Sequence, residues 1–273
     1  MGATPAGMRS DRQTQRGLGL PVAVPPEIIR SAAMAAQDRG YDSFWLNNPP
    51  RSDSLRVLGG IAQVATRIWL GVGVIPLSDH RPADIVQAVS QNRLPADRLF
   101  LGVGSGSGAG AVERVRGGIR AIRAGLACPL VIAALGPRMC RLAGEEADGV
   151  LLNWLTPEWA RRSIGWVRDG ANGAGRPMPR TMAYVRAARG REAMARLRTE
   201  AAFYEAIPHY RAHFERMGTP AIGTAVTGET PEDIQRGLAA WGGVVDEAVV
   251  RAVVARDTVE DFLDLVEAAR PMA

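Results

Sequence analysis

The sequence contains no lysine, so arginine supplies all 33 basic side chains. This absence excludes reactions that need a lysine Schiff base and phosphate-binding loops that need a lysine. Aromatic residues make up only 5% of the chain, and the arginines are interspersed with carboxylates, which leaves a formal net charge of +5. Because no basic run alternates with aromatic residues, we do not expect a nucleic-acid-binding protein.

Cysteine and histidine are also scarce. The two cysteines, Cys128 and Cys140, lack the spacing of a metal site, which favours reduced, partly buried thiols in a cytoplasmic protein. His209 and His213 stand four residues apart, but no H-E-x-x-H motif accompanies them. We therefore predict no metal site.

Long apolar runs are missing as well. No stretch is long enough to span a membrane, and the first residues lack the apolar segment of a secretory signal. We expect no membrane partner, a disordered segment over residues 1–16 and a single domain over residues 17–273.

Short apolar segments alternate with amphipathic helical segments eight times along the chain. Strands are predicted over residues 17–24, 41–48, 67–77, 97–106, 128–135, 148–155, 180–190 and 245–255. Most are followed by one helical segment, and the seventh by two, over 192–217 and 231–241. Strands that are apolar throughout are typical of a parallel sheet covered by helices. Eight such units predict an α/β fold, a (β/α)8 TIM barrel, with an open doubly wound sheet as the alternative.

In a barrel of this kind the chemistry lies at the carboxyl ends of the strands. The fifth strand ends at "AALGPRM", where Pro137 suits the first position of a helix. The free amides of Arg138, Met139 and Cys140 would then favour an anion, as would the helix dipole. The alternative is an ordinary turn with a solvated arginine.

The fourth strand runs into the glycine-rich segment "GVGSGSGAG". Gly104, Gly106 and Ala109 satisfy G-x-G-x-x-A, but the next strand lacks the acidic residue of a dinucleotide site. We interpret these glycines as allowing the backbone to approach a flat ring or a phosphate. A loop without a ligand is an equal alternative.

The second and third strands end near polar side chains. Asn47 and Asn48 can donate hydrogen bonds to a ring or a substrate, although Asn-Asn-Pro-Pro also suits a turn. His80 is a candidate proton carrier, or a loop histidine beside a helix start. No pair of carboxylates occupies the strand ends, and a pocket of amides and glycines suits chemistry that a bound cofactor performs.

These segments carry a family resemblance. "ALGPRMCRLAGEEADGVLLNWLTPEWA" resembles a segment of the bacterial luciferase-like superfamily. "RLFLGVGSGSG", "RIWLGVGVIPLSDHRPADI" and "AAMAAQDRGYDSFWLNN" are similar to its fourth strand, third strand and second strand. The resemblance covers the chain from about residue 18 and implies a (β/α)8 barrel that binds the deazaflavin coenzyme F420 or FMN.

The resemblance also implies roles for particular residues. The loop after the fifth strand would hold the cofactor phosphate, and Val74 with Ile75 would form a bulge, often with a non-prolyl cis peptide, behind the ring. The cofactor-binding candidates are Val74, Ile75, Gly104, Ser105, Gly106, Ala134, Leu135, Gly136, Pro137, Arg138, Asn153 and Trp154. The catalytic or substrate-binding candidates are Asn47, Asn48 and His80.

The chain departs from the family pattern at two places. Many members carry Ser-Asp-His where this chain has Asn47-Asn48-Pro49, and the sugar-phosphate dehydrogenases place a glutamate where it has Ser107-Gly108. These departures remove the histidine and the glutamate that form the acid–base pair of the family, and they argue against a sugar-phosphate substrate. The resemblance implies hydride transfer between reduced deazaflavin and a small organic substrate, in a cytoplasmic protein that forms a homodimer.

Two alternatives stay open. One is an FMN-dependent monooxygenase that uses oxygen and receives its reduced flavin from a partner reductase. The other is a flavin-binding barrel without catalytic activity, which the missing acid–base pair favours.

Overall fold

A computed structural model describes residues 14–272 of the chain. Nine strands and ten α-helices lie within this range. The strands are β1 (Gln15–Leu20), β2 (Ser43–Leu46), β3 (Trp69–Pro76), β4 (Leu99–Gly104), β5 (Leu130–Ala134), β6 (Gly149–Asn153), β7 (Arg180–Arg189), β8 (Val226–Gly228) and β9 (Glu247–Val253). The helices are α1 (Pro26–Asp38), α2 (Ser54–Ala62), α3 (Pro82–Gln91), α4 (Ala111–Gly125), α5 (Pro137–Glu146), α6 (Pro157–Gly173), α7 (Arg191–Ala206), α8 (Pro208–Met217), α9 (Pro231–Ala239) and α10 (Val259–Ala268).

Eight of the strands close into a parallel barrel. Strands β1 to β7 pair in chain order, and β9 pairs with both β7 and β1. The remaining strand, β8, is short. It pairs with the last residues of β7, beyond the point where β6 has ended. The prediction of a single-domain (β/α)8 TIM barrel is confirmed, and the open doubly wound sheet is excluded because its two edges would not meet.

The structure corrects the predicted elements at three places. The predicted helix over 192–217 is two helices, since Ile207 leaves the helical conformation and Pro208 begins α8. Strand β8 was not predicted. Strand β1 starts at Gln15, so the predicted disordered segment over 1–16 ends too late; residues 1–13 lie outside the described part of the chain.

Helices cover the outer face of the barrel, and local sequence signals start most of them. Proline occupies the first turn of six helices, as its fixed backbone angle favours. Asp53 caps α2 by accepting a hydrogen bond from the Arg56 amide. Outward-facing aliphatic residues of the strands pack against the helices in one large apolar cluster.

The inner face of the barrel combines large rings with glycine. Trp45 and Tyr184 fill the middle of the barrel together with Phe100, and the Trp45 and Phe100 rings are stacked at 5.6 Å between centroids. A side chain at Gly71 would lie 2.2 Å from the Trp45 indole, and one at Gly73 would lie 2.3 Å from the Tyr184 hydroxyl. The glycines therefore provide the space that these rings occupy.

No helix within residues 14–272 combines the length and the apolar character needed to cross a lipid bilayer.

Candidate active site

The mouth of the barrel, at the carboxyl ends of the strands, brings most of the predicted site residues together. Strand β3 forms one wall. The peptide bond between Gly73 and Val74 is cis, and the pairing of β3 with β4 shifts between Val72 and Ile75. The bulge that the family resemblance implied is therefore present. The Tyr184 hydroxyl donates a hydrogen bond of 3.3 Å to the Gly73 carbonyl oxygen, which holds the bulge from inside the barrel.

The two residues of the bulge face different ways. Val74 packs against the inner cluster of the barrel, whereas Ile75 is buried under the helices. A side chain on Gly104 would meet Val74 at 2.9 Å and Ala133 at 3.7 Å. Val74, Gly104 and Ala133 thus form a floor of small apolar groups at the mouth, and this floor fits a flat ring.

Residues Asn47 and Asn48 hold neighbouring loops together. Asn47 Oδ1 accepts a hydrogen bond of 2.9 Å from the Val22 amide, and Asn48 Oδ1 accepts one of 3.0 Å from the Ser54 amide. Asn48 Nδ2 lies 3.4 Å from His80 Nε2, so two of the predicted residues are in contact. Within the described residues Asn47 Nδ2 has no hydrogen-bond partner, which leaves it free to donate to a ligand.

The glycine-rich loop after β4 closes around an arginine. Arg114 of α4 donates hydrogen bonds to the carbonyl oxygens of Ser105 and Ser107, both at 3.1 Å, and to that of Ala109 at 2.6 Å. Gly106 adopts a φ of 66°, and a side chain there would clash with Ser78. Gly106 therefore serves the packing of this loop against Ser78. Ser105 and Gly106 lie at the edge of the mouth.

Helix α5 begins at the mouth, with Gly136 before it and Pro137 in its first turn. No side chain caps this end, so the amides of Arg138 and Met139 have no partner in the helix. The prediction of a third free amide was wrong, because Cys140 donates to the Gly136 carbonyl oxygen at 3.0 Å.

An arginine that the sequence did not reveal completes this end of α5. A side chain on Gly136 would lie 3.6 Å from Nη2 of Arg216, which belongs to α8. The α5 start therefore offers two backbone amides and two cationic side chains, those of Arg138 and Arg216, and both side chains are exposed to solvent. This donor set fits a phosphate group.

The other two residues predicted in this loop contribute differently. Ala134 turns its side chain to the helices, so only its backbone can reach a ligand. Leu135 is partly buried, and its carbonyl group lies beside His213 of α8. Ala133, one residue before the predicted range, is the residue whose side chain faces the mouth; the alternation of a strand could have indicated it.

Helices α7 and α8, residues 191–217, extend over the mouth, and we call them the α7–α8 cover. Asn153 Oδ1 accepts a hydrogen bond of 2.6 Å from Arg186, and Asn153 Nδ2 lies 3.4 Å from the Tyr210 hydroxyl. The Arg186 guanidinium also lies 3.4 Å from the centre of the Trp154 ring and forms an ion pair of 3.1 Å with Glu200. Asn153 and Trp154 therefore bind the cover to the barrel.

A contact of His213 also joins the cover to the end of β6. His213, fully buried, places Nε2 2.7 Å from the Trp154 carbonyl oxygen. Burial lowers the pKa of His213, so the ring is neutral at neutral pH and donates through Nε2. His209 is exposed and packs beside Tyr210, so the two histidines do not share an environment.

The mouth contains few groups that could transfer a proton near neutral pH. Burial raises the pKa of Tyr184 and of Tyr210 far above neutrality, so both stay protonated. Burial raises the pKa of Cys140, which lies under the α5 start, to about 12, so its thiol is not a nucleophile. The arrangement supplies positioning and an anion site more than acid–base catalysis.

Comparison with known proteins agrees with this geometry. The family model of luciferase-like monooxygenases matches residues 4–125 and 114–268. The chain is 27% identical to 5,10-methylenetetrahydromethanopterin reductase of Methanolobus tindarius, with 54% of this chain and 56% of that protein covered. It is 26% identical to F420-dependent glucose-6-phosphate dehydrogenase of Mycolicibacterium gilvum (strain PYR-GCK), with 56% of this chain and 61% of that protein covered. The matches thus span less than two thirds of these relatives.

Among solved structures, the coenzyme F420-dependent tetrahydromethanopterin reductase of Methanopyrus kandleri has the same fold. Its TM-score to this chain is 0.75 at 16% sequence identity, with 94% of this chain and 98% of that chain covered.

Proposed function

The chain belongs to the luciferase-like monooxygenase family, and from that premise we propose that it is an oxidoreductase that moves a hydride between reduced coenzyme F420 and a small organic substrate. The coenzyme supplies the redox chemistry through its deazaflavin ring. The protein binds the phosphate, supports the ring and positions the substrate.

The observation that carries this proposal is the start of α5. The Arg138 and Met139 amides, the helix dipole and the Arg138 and Arg216 guanidinium groups all favour a phosphate there. The β3 bulge and the small-residue floor stand beside this loop in the barrel, since β3, β4 and β5 are neighbouring strands. A phosphate on α5 would therefore leave the attached ring over the floor.

The predicted catalytic residues have positioning roles in this proposal. Asn47 Nδ2 is free to donate to a carbonyl group, and Asn48 orients the His80 ring. The α7–α8 cover shields the mouth from water, which favours hydride transfer. None of these roles requires the acid–base pair that the chain lacks.

FMN in place of coenzyme F420 is the second candidate, and the name of the family as monooxygenases favours it. FMN also ends in a phosphate, so the α5 start fits both cofactors. In that case the substrate is oxidised by oxygen, and a partner reductase supplies the reduced flavin.

We also propose a cytoplasmic location and a homodimer; light scattering on the purified protein tests the latter.

Titration of the purified chain with coenzyme F420 and with FMN, read by fluorescence, tests the proposal. We expect Arg216→Gln to weaken cofactor binding about tenfold, because one charge-assisted contact to the phosphate is lost. Arg211→Gln is the matched control, since Arg211 lies on the same helix but donates to carbonyl groups at the end of α7.

The outcomes separate the candidates. Tight binding of coenzyme F420, with substrate-dependent bleaching of the oxidised coenzyme or substrate-dependent return of colour from the reduced coenzyme, supports hydride transfer. Preference for FMN supports the monooxygenase, and binding without turnover across a substrate panel supports a flavin-binding barrel without activity. Affinity that Arg216→Gln leaves unchanged would contradict the phosphate site.

A further inference from the structure

A cavity of about 460 Å³ lies at the mouth of the barrel, where β1 and β9 end and α7 passes over them. The size is within the range of small-molecule sites. Because β1 and β9 stand across the barrel from β5, this cavity is on the side opposite the α5 start. It is therefore separate from the proposed phosphate site.

Arg251 of β9 lines the cavity with a buried, charged side chain. The side chain is in an inward-facing position beside Gly19, with only 7% of the residue exposed. Among residues 14–272 its guanidinium group forms no hydrogen bond and no ion pair. A buried cation without a partner costs free energy, and folded proteins rarely keep one without a function.

The remaining charges around the cavity are paired. Glu200 forms its ion pair with Arg186, and Asp257 forms one of 3.0 Å with Arg196. Both carboxylates are thus neutralised by other arginines. One positive charge, that of Arg251, is left for a ligand.

The walls beside this charge are mainly apolar. Pro21, Val253 and Phe262 contribute to them, and Phe203 of α7 adds a ring that is 65% exposed. An exposed aromatic residue at a cavity edge favours contact with an apolar ligand. A ligand that fits this cavity has one negative charge and an apolar body.

We propose that Arg251 binds the carboxylate of the substrate, and that the enzyme acts on a singly charged organic acid whose apolar part lies against Phe203 and Phe262. The identification of the bound acid as the substrate rests on the proposed function. The anion site itself follows from the cavity and from the unpaired charge of Arg251. Arginine is suited to this role because its planar fork matches a carboxylate.

Calorimetric titration with hydrocinnamate, a carboxylate on a phenylalkyl chain, tests the site. We expect the unmodified protein to bind hydrocinnamate, and its neutral amide at least tenfold more weakly. Arg251→Met should weaken hydrocinnamate binding tenfold or more, and Arg251→Lys should restore part of the affinity by restoring the charge. The proposal would be overturned if the acid and the amide bound with equal affinity, or if the unmodified protein and Arg251→Met bound hydrocinnamate equally tightly. It would also be overturned if inorganic phosphate bound as tightly as hydrocinnamate.

A stability measurement provides a second readout. Because methionine replaces an unpaired cation with an apolar chain of similar length, Arg251→Met should raise the thermal unfolding midpoint of the unliganded protein. A purely structural role for Arg251 would lower the midpoint instead, which would count against the proposal.

Coenzyme titration of the same variants separates this inference from the proposed function. Arg251→Met should keep its affinity for coenzyme F420 within about twofold, and Arg216→Gln should keep its affinity for hydrocinnamate. If Arg251→Met loses the coenzyme instead, Arg251 belongs to the coenzyme site and the inference fails. If hydrocinnamate binds through Arg251 but neither cofactor binds, the proposed function fails and the anion site stands.

Discussion

At the level of single residues, glycine controls how the barrel interior is packed. Gly71 and Gly73 of β3 face inward beside the Trp45 and Tyr184 rings, and Gly17 of β1 faces inward at Ser43 and Glu247. Each of these glycines would place a Cβ within 2.4 Å of a neighbouring side chain. The large rings and the glycines therefore depend on each other, because no rotamer of Trp45 could use space that a side chain had taken.

We expect Gly71→Ala to lower the free energy of unfolding by about 1–3 kcal/mol, because the added methyl overlaps the Trp45 indole inside a close-packed core. Gly60→Ala is the matched control: Gly60 is exposed in α2, and no atom lies within 4 Å of the added methyl. That change should raise stability by about 0.5–1 kcal/mol through helix propensity. Urea unfolding measures both, and similar values for the two variants would contradict the packing argument.

The sequence predicted which residues approach the mouth better than it predicted what they contact. Asn48 and His80 were predicted separately and lie in contact. Arg216 and Arg251 were not predicted as site residues, because neither belongs to a local motif. Arg216 reaches Gly136 only through the path of α8, and the isolation of Arg251 depends on how every neighbouring charge is paired.

At the level of elements, the positions of the barrel strands could be predicted from the sequence, whereas the division of the α7–α8 cover into two helices could not. Apolar runs with flanking Gly and Pro located all eight barrel strands, since a strand buried on both faces gives a clear signal. The break between α7 and α8 occurs at Ile207, before Pro208, where polar and apolar residues continue without a change of pattern. Strand β8 has three residues, too few for any period to show.

The α7–α8 cover should respond to pH through His213. Its pKa is lowered from the ordinary value of 6.5 by burial, so the unfolded chain takes up the proton first as pH falls. The stability that the neutral ring supports is fully present above pH 6.5 and declines below it. We therefore expect the protection factors of the α8 amides, which correct for the slower intrinsic exchange at lower pH, to fall as pH drops below about 6.5 in the unmodified protein.

Two variants check this assignment. His213→Gln can still donate to the Trp154 carbonyl oxygen but does not titrate, so its α8 protection factors should lose this pH dependence. His213→Ala leaves that buried carbonyl without a donor and should destabilise the protein by about 1–3 kcal/mol at neutral pH. If His213→Gln kept the full pH response, another group would control the cover.

For the molecule as a whole, the two ends of the barrel have different roles. The amino ends of the strands are closed by a buried polar network in which Glu247 accepts hydrogen bonds from Ser43, Trp45 and Arg180. The carboxyl ends carry the floor, the α5 start and the Arg251 cavity. In barrels of this fold the former end supports stability and the latter supports function.

This division predicts that stability and cofactor binding can be changed independently. Glu247→Gln removes the charge that pairs with Arg180, whose Nη2 lies 2.8 Å from the carboxylate, and should lower the free energy of unfolding by about 2–4 kcal/mol. Since the network lies at the end of the barrel away from the mouth, affinity for coenzyme F420 should stay within about twofold of the original.

Arg216→Gln should show the opposite behaviour, with weaker cofactor binding and stability within about 0.5 kcal/mol of the unmodified protein, because Arg216 is exposed. The control for Glu247→Gln is Glu260→Gln, which removes the carboxylate of an exposed glutamate in the first turn of α10. Denaturant unfolding and cofactor titration on the same preparations provide both values. A loss of cofactor affinity in Glu247→Gln as large as in Arg216→Gln would mean that the two ends are energetically coupled, since no contact of Glu247 reaches the mouth within the described part of the chain.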